Sequence, residues 1–214
     1  MTDPALTHLA KDPVMARIIT ETPTPKIVND YADNVYMALL ESIVSQQISV
    51  KAADAIFGRL CGLFPNHTPT PDALLALHFD DLRGIGLSGQ KVKYVQSVAD
   101  FALTNRLDRP FFDALTDEEI VQYLLPIKGV GRWTVEMLLM FVLNRPDVFP
   151  IDDLVIRQRI GRAYPQQTDG LAGKTLYKKL QEIADPWRPY RTLACRYLWR
   201  WQPHSFFTST PTSD

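Results

Sequence analysis

The sequence of 214 residues contains only two cysteines, Cys61 and Cys195. Two cysteines cannot supply the four thiolates of an iron–sulfur cluster, and they give no basis for a disulfide framework. We therefore expect a protein without an iron–sulfur cluster, whose cysteines are buried and reduced in an intracellular setting.

Long hydrophobic runs are also missing. No segment approaches the ~18 consecutive apolar residues that a bilayer span requires. The first residues, Met1-Thr2-Asp3-Pro4, lack the basic and then apolar pattern of a signal peptide. We expect no membrane association and an intracellular location, which is the cytoplasm and its nucleoid in a bacterium or the nucleus in a eukaryote.

The chain has no overall excess of positive charge. It has 23 Lys and Arg residues against 24 Asp and Glu residues, a formal net charge of −1. The charge is uneven, because residues 1–120 carry a net charge of −6 and residues 121–214 carry +5. A basic segment of this kind can be the electrostatic footprint of nucleic-acid binding, although a set of solvated helix faces stays open as the alternative.

Strand-like alternation is not sustained anywhere, and the apolar periodicity is helical almost throughout. Residues 36–44 show the i, i+3, i+4, i+7 spacing of a buried helix face, and Thr116–Glu119 forms a capping box before another such segment. Proline-containing breaks divide the chain into short helices: Pro65–Pro71, Arg109-Pro110, Arg145-Pro146 and Trp187–Pro189. The sequence therefore predicts an all-α protein.

A glycine hairpin within Leu125–Thr134 precedes a predicted amphipathic helix over 133–143. Gly129 and Gly131 allow positive φ and a close backbone approach, so the turn can direct N–H groups outward at the start of that helix. Such a helix start binds phosphate readily and would contact any phosphodiester without reading its sequence. A tight connection without a binding role is the alternative.

A second, weaker turn at Gly84-Ile85-Gly86 precedes a helix that carries Lys91 and Lys93. Two interpretations of this turn stay open: a second phosphate site, or a simple loop in which Ser88 caps the helix.

Two carboxylates, Asp152 and Asp153, follow the hairpin helix. An Asp just before Leu154 is a natural N-cap for a helix over 154–160, so capping explains one of the two. The other carboxylate is then available for a catalytic role.

The stretch from Leu125 to Arg159 resembles the helix-hairpin-helix DNA glycosylase superfamily. Gly129–Thr134 together with Phe149–Leu154 is similar to its DNA-3-methyladenine glycosylase II (AlkA-type) branch. Ser45–Ser49 and Trp187–Trp201 extend the resemblance from about Tyr36 to Trp201.

The resemblance implies an all-α, two-lobed helix-hairpin-helix glycosylase fold with the active-site cleft between the lobes, in a compact form without the extra N-terminal domain of some members. We expect a central helical lobe at about 36–140 that contains the hairpin. Residues 1–35 and 141–214 form the second lobe, with 207–214 as a frayed tail.

The implied function is that of a monofunctional DNA glycosylase of base excision repair. It would act as a monomer on double-stranded DNA, flip out an alkylated purine such as 3-methyladenine or 7-methylguanine, hydrolyse the N-glycosidic bond and leave an abasic site. A non-catalytic helix-hairpin-helix module that binds DNA structure is the alternative. A glycosylase with lyase activity is disfavoured, because Trp133 stands where bifunctional relatives have a lysine that forms a Schiff base.

The resemblance assigns the catalytic carboxylate to Asp153 and leaves Asp152 for capping, with the reversed assignment still open. A carboxylate near C1′ can stabilise an oxocarbenium-like sugar or orient a water molecule. The implied base pocket consists of Trp133, Trp199 and Met137, and an aromatic face attracts a cationic base by about 1 to 2 kcal/mol when desolvated.

Other roles follow from the same resemblance. Gln47 matches the intercalating position that fills the vacated stack. The implied phosphate contacts are Lys128, Gly129, Gly131, Arg132 and Thr134. No cofactor is required, and a sodium or potassium ion held by the hairpin carbonyls is implied at three positions: Leu125, Ile127 and Val130.

Overall fold

The computed structural model describes residues 3–25 and 34–202. Over these residues the protein is all-helical, as predicted, and has no β-strand. The helices are, in chain order, α1 (Pro4–Leu9), α2 (Pro13–Glu21), α3 (Val35–Ser45), α4 (Val50–Gly62), α5 (Pro71–Leu75), α6 (Phe79–Gly84), α7 (Gly89–Thr104), α8 (Arg109–Asp113), α9 (Asp117–Leu124), α10 (Arg132–Phe141), α11 (Leu154–Ala163), α12 (Pro165–Thr168), α13 (Gly173–Ala184) and α14 (Arg191–Arg200). Short 3₁₀ helices lie at Pro65–His67 and Asp185–Trp187.

The chain forms two compact units. The described residues of 27–145 form the central unit, which contains α3 to α10, and those of 1–26 and 146–214 form the terminal unit, which contains α1, α2 and α11 to α14. The tail expected at 207–214 lies outside the described residues. None of the described helices combines the length and the apolar character that crossing a membrane requires.

The core of the terminal unit is built around buried aromatic side chains that bond to carboxylates. Trp187 is buried, and its Nε1 donates to Asp12 Oδ2 over 3.1 Å, while the Tyr164 hydroxyl donates to the same oxygen over 2.6 Å. Trp201 is also buried and donates to Glu21 Oε2 over 2.8 Å. These hydrogen bonds satisfy the indole N–H and phenol O–H groups of large, otherwise apolar side chains. In the same unit, α11 packs against α14.

The central unit is organised around α3, which packs against α4, α7 and α10. Leu39, Leu40, Ile43 and Val44 on this helix are fully buried, which confirms the helical periodicity of the sequence. The Thr116–Glu119 capping box is present at the start of α9.

Helix α10 ends at Phe141, two residues before the predicted end at 143. Asn144 adopts a left-handed conformation with φ of 54°, and the Arg145 N–H donates to the Leu139 carbonyl over 2.8 Å. This bond spans six positions and satisfies a carbonyl of the last turn of α10, which has no partner within the helix.

Candidate functional site

The conformation of the hairpin between α9 and α10 requires a glycine at position 129 but not at position 131. Gly129 has a φ of +88°, and a Cβ at this position would overlap the ring of Tyr94. Gly131 has a φ of −104° and is the N-cap of α10, and a Cβ there would meet nothing within 4 Å. The positive φ that glycine allows therefore occurs at Gly129 and not at Gly131, where the chain is extended.

The start of α10 has the features of an anion-binding helix terminus. Among the described residues, no side chain forms a capping hydrogen bond there. Backbone N–H groups at an uncapped helix start combine with the helix dipole to favour a negatively charged group. The geometry is therefore compatible with a backbone contact to phosphate.

The side chains predicted to bind phosphate differ in their surroundings. Lys128 is exposed, and its backbone N–H donates to Ser97 Oγ over 3.0 Å. Arg132 donates to both carboxylate oxygens of Glu118, over 3.0 and 2.7 Å, and this guanidinium lowers the pKa of Glu118. Thr134 is buried, so its side chain is not on the surface where a phosphate would bind.

The segment that follows α3 carries Gln47, the predicted intercalating residue. Gln47 is exposed and has a left-handed backbone with φ of 60°. Its neighbour Gln46 is the C-cap of α3 and donates from Nε2 to the Gly129 carbonyl over 3.0 Å. We name residues 46–49 the plug loop.

Lys91 supports the plug loop from α7. Its ammonium donates to the carbonyls of Val44 and Gln46, each over 2.7 Å, and burial lowers the pKa of Lys91. Ser88 caps α7 by accepting from the Lys91 N–H over 3.2 Å. Ser88 thus caps α7, as the loop alternative expects, and Lys91 is turned inward, whereas Lys93 is exposed.

Asp153, and not Asp152, is the N-cap of α11. Its Oδ1 accepts from the Ile156 N–H over 2.8 Å and from Trp199 Nε1 over 3.1 Å, and the residue is 8% exposed. The assignment of capping to Asp152 is therefore wrong. The structure does bring Asp153 together with Trp199, two residues that the sequence assigned to the site.

Asp152 lies in a separate, more exposed cluster. It accepts from the Tyr177 hydroxyl over 3.1 Å, and Arg157 donates to that same hydroxyl. The Arg157 guanidinium lies 3.9 Å from Asp152 Oδ1. Asp152 is thus held by the outer surface of α11 and α13 and does not cap a helix.

A tight turn places Asp153 at the start of α11. The Ile151 N–H donates to the Phe149 carbonyl and the Asp153 N–H donates to the Pro150 carbonyl, both over 2.9 Å. Phe149 is buried against the ring of Trp187. The carboxylate is consequently fixed by the backbone behind it, by the helix it caps and by an indole, which is the kind of support that a reacting group needs.

A pocket of about 310 Å³ lies within the central unit, between α3, α4 and α10. Met137 and Thr134 line it, whereas Trp133 is 40% exposed and is not among its lining residues. Two carboxylates that the sequence did not single out, Glu41 and Asp54, also line it, and none of the described lining residues is Lys or Arg. The remaining lining is mostly apolar: Ala38, Leu39, Ser42, Ser45, Val50, Ala53, Leu138, Phe141 and Val142.

The chain as a whole is similar to known proteins. Residues 40–189 match the family described as HhH-GPD superfamily base excision DNA repair protein. DNA-3-methyladenine glycosylase 1 of Schizosaccharomyces pombe is 37% identical over 184 residues, which are 82% of this chain and 78% of that protein.

Two solved structures are similar along most of their length. The structure of S. pombe 3-methyladenine DNA glycosylase (Mag1) in complex with abasic DNA has a TM-score of 0.77 at 31% identity and is matched over 92% of this chain and 95% of its own. The DNA-3-methyladenine glycosidase of Bacillus halodurans has a TM-score of 0.76 at 31% identity, over 92% and 88% of the two chains.

Proposed function

Because the chain belongs to the HhH-GPD superfamily of base excision DNA repair proteins, we propose that it is a DNA glycosylase that removes alkylated purines from duplex DNA. The observation that carries the proposal is the Asp153 carboxylate, which is buried, caps α11 and accepts from the Trp199 indole. Capping accounts for the bond to the Ile156 N–H, while the second bond, to the Trp199 indole, and the family match support a catalytic role for this carboxylate.

The reaction is a hydrolysis at C1′ of a nucleotide that has been extruded from the duplex. As the bond between C1′ and the purine nitrogen breaks, the electron pair leaves with the base and positive charge develops on the sugar. Asp153 stabilises that charge and orients the water whose oxygen bonds to C1′. The water gives its proton to the Asp153 carboxylate, which passes it to solvent, and the products are the free base and an abasic site.

The nucleophile is water, and the protein has no lyase activity. The position after Arg132 is Trp133, whose indole cannot form an imine with the sugar. Treatment with borohydride during the reaction should therefore trap no covalent complex between protein and DNA. A trapped complex on gel electrophoresis would contradict this mechanism.

The residues proposed to contact the extruded base are Trp133, Met137 and Trp199, as the family resemblance implies. A purine alkylated at N3 or N7 is a cation, and aromatic faces attract cations. Glu41 and Asp54 in the pocket that Met137 lines add negative charge of the sign that such a base requires. The proposed preference is therefore for cationic lesions.

The contacts with DNA outside the base are also assigned. Backbone N–H groups at Gly129, Gly131 and the start of α10, with Lys128, bind phosphates, and Gln47 fills the space left by the extruded base. Arg132 takes part once its pairing with Glu118 is exchanged for a phosphate. The protein acts as a monomer in the compartment that holds the DNA.

A monovalent cation is the remaining assignment at the hairpin, and no organic cofactor is needed. The carbonyls of Leu125, Ile127 and Val130 would hold a sodium or potassium ion. The Ile127 carbonyl accepts from the Val130 N–H over 3.0 Å, and a carbonyl oxygen keeps a second lone pair for a ligand. The ion would stiffen the hairpin, and no step of the hydrolysis passes through it.

The test is the release of free bases from methylated duplex DNA, with each base identified by chromatography. Wild-type protein should release 3-methyladenine and 7-methylguanine, and Asp153→Asn should release neither. Asp152→Asn is the matched control, because it removes the neighbouring carboxylate and should retain most of the activity. Full activity of Asp153→Asn would refute the catalytic assignment, and no release by the wild type would favour a module that only binds DNA.

A further inference from the structure

Helix α7 contacts both of the segments that are proposed to touch DNA in the central unit. Lys91, Tyr94 and Ser97 follow one another at intervals of three residues, so they lie along one face of the helix. Lys91 donates to the plug loop, while Tyr94 and Ser97 contact the hairpin. A single rigid element thus supports two loops that are distant in the sequence.

The contact of Lys91 with the plug loop replaces an ordinary helix cap. The last carbonyls of a helix lack partners within the helix and are commonly satisfied by a closing turn with glycine. At the end of α3 the Lys91 ammonium donates to the Val44 and Gln46 carbonyls, each over 2.7 Å. Gln47, which has a left-handed backbone conformation, directly follows the Gln46 carbonyl that Lys91 binds.

Gln46 connects the plug loop to the hairpin. Its Nε2 donates to the Gly129 carbonyl over 3.0 Å, and Gly129 is the hairpin residue packed against Tyr94. At the preceding residue of the turn, the Lys128 N–H donates to Ser97 Oγ over 3.0 Å. The two loops and α7 therefore form a closed set of contacts.

We propose that Lys91 and Gln46 are positioning residues for base extrusion, because they fix the reach of Gln47 relative to the phosphate-binding hairpin. This inference rests on the proposed function, in which the hairpin holds the backbone while Gln47 enters the stack. An intercalating side chain fills the vacated space only if it arrives in register with the held phosphates. Neither residue contacts the base or the sugar in this scheme.

The experiment compares variants by two measurements. Lys91→Met removes both donated bonds and keeps the length of the side chain, and Gln46→Leu removes the bond to Gly129. Lys93→Met is the matched control, because Lys93 lies on the same helix, is exposed and has the same charge. The measurements are the single-turnover rate of 7-methylguanine release and the fluorescence of a 2-aminopurine placed beside the lesion, which rises when the base is extruded.

We expect Lys91→Met and Gln46→Leu each to lower the release rate by about tenfold and to reduce the fluorescence rise, while affinity for undamaged duplex stays within about twofold. Lys93→Met should change neither measurement. Lys91→Arg, which keeps the charge and the donors, should restore part of the rate. If Lys91→Met lowers the melting temperature strongly, Gln46→Leu still decides the question, because it leaves the bonds of Lys91 to the backbone in place.

Double variants separate positioning from a general structural role. If Lys91 acts through Gln47, then Lys91→Met should cause little further loss in a Gln47→Ala background. Losses that multiply in the double variant, or an equal loss in Lys93→Met, would overturn the proposal. If the wild type released no base, the proposed catalytic function would fail, while the fluorescence measurement would still test positioning because it requires binding and extrusion alone.

Discussion

At the scale of single residues, Asp153 has a structural role and a proposed chemical role that substitutions can separate. Asn accepts an N-cap hydrogen bond nearly as well as Asp, whereas Ala removes it. We expect Asp153→Ala to lower the free energy of unfolding by about 0.5 to 2 kcal/mol and Asp153→Asn to change it far less. Urea titrations followed by circular dichroism measure the difference.

Both variants should lose base release, since both remove the charge. Equal destabilisation by Asn and Ala would mean that the contact of Asp153 Oδ1 with the Ile156 N–H does not hold the start of α11. Asp152→Ala provides the comparison, because its hydrogen bond to Tyr177 lies on the surface and should contribute little.

The catalytic assignment to Asp153 came from the resemblance, and the error over capping has a local cause. Either of two adjacent carboxylates can cap the same helix, and the choice depends on which residue has extended backbone angles. The buried Phe149 and the turn at Pro150 make that residue Asp153. The contact with Trp199 spans 46 positions, so no local pattern could predict it.

Glu41 allows a prediction about lesion preference. Glu41→Gln keeps the size of the side chain and removes one negative charge from the pocket lining. We expect the ratio of 7-methylguanine to hypoxanthine release to fall by about fivefold, which corresponds to about 1 kcal/mol of lost attraction for the cationic base. Chromatography of bases released from two defined duplexes gives the ratio.

Ser42→Ala is the control, because it alters the same lining without changing charge. A parallel loss of both bases in Glu41→Gln would show that the carboxylate supports the pocket and does not select the cation.

At the scale of elements, the two hairpin glycines should respond differently to the same substitution. Gly129→Ala places a Cβ into Tyr94 at a φ of +88°, so we expect a loss of about 2 kcal/mol or more in the free energy of unfolding. Gly131→Ala is extended and unobstructed, so its stability should stay close to that of the wild type. Thermal and urea unfolding of both variants check this expectation.

Gly131→Ala then tests DNA contact without a folding defect. If the backbone approaches a phosphate closely there, affinity for undamaged duplex should fall at unchanged stability. Unchanged affinity would remove Gly131 from the phosphate site and leave its glycine unexplained by the structure.

The helices themselves were predictable where the signal is local. Apolar spacing, the Thr116 capping box and proline breaks indicated an all-α chain, and the resemblance of residues 125–159 to helix-hairpin-helix glycosylases is confirmed by the family match. The support of the plug loop by Lys91 was not predictable, because Lys91 is 47 positions from Val44 and 45 positions from Gln46 in the sequence. From the sequence alone, Lys91 was recognisable only as a positive charge that could contact a phosphate.

At the scale of the whole molecule, the charge is distributed between the two units differently from what the two halves of the sequence suggested. The positive half of the sequence, 121–214, contributes most of its basic residues to the terminal unit, whose ranges carry 13 basic and 10 acidic residues. The range of the central unit, which contains the hairpin, has 10 basic and 14 acidic residues. The hairpin therefore lies in the more acidic unit, and its attraction for DNA must come from a few local groups.

Lys128 is an exposed cation of the hairpin, and the effect of its position can be separated from the effect of the net charge. Lys128→Gln and Lys11→Gln each change the formal net charge from −1 to −2, so any effect of total charge is the same in both. If Lys128 neutralises a phosphate, only Lys128→Gln should reduce the slope of log affinity against log salt concentration, by about 0.9. Equal slopes in the two variants would mean that total charge, and not the hairpin, sets the attraction.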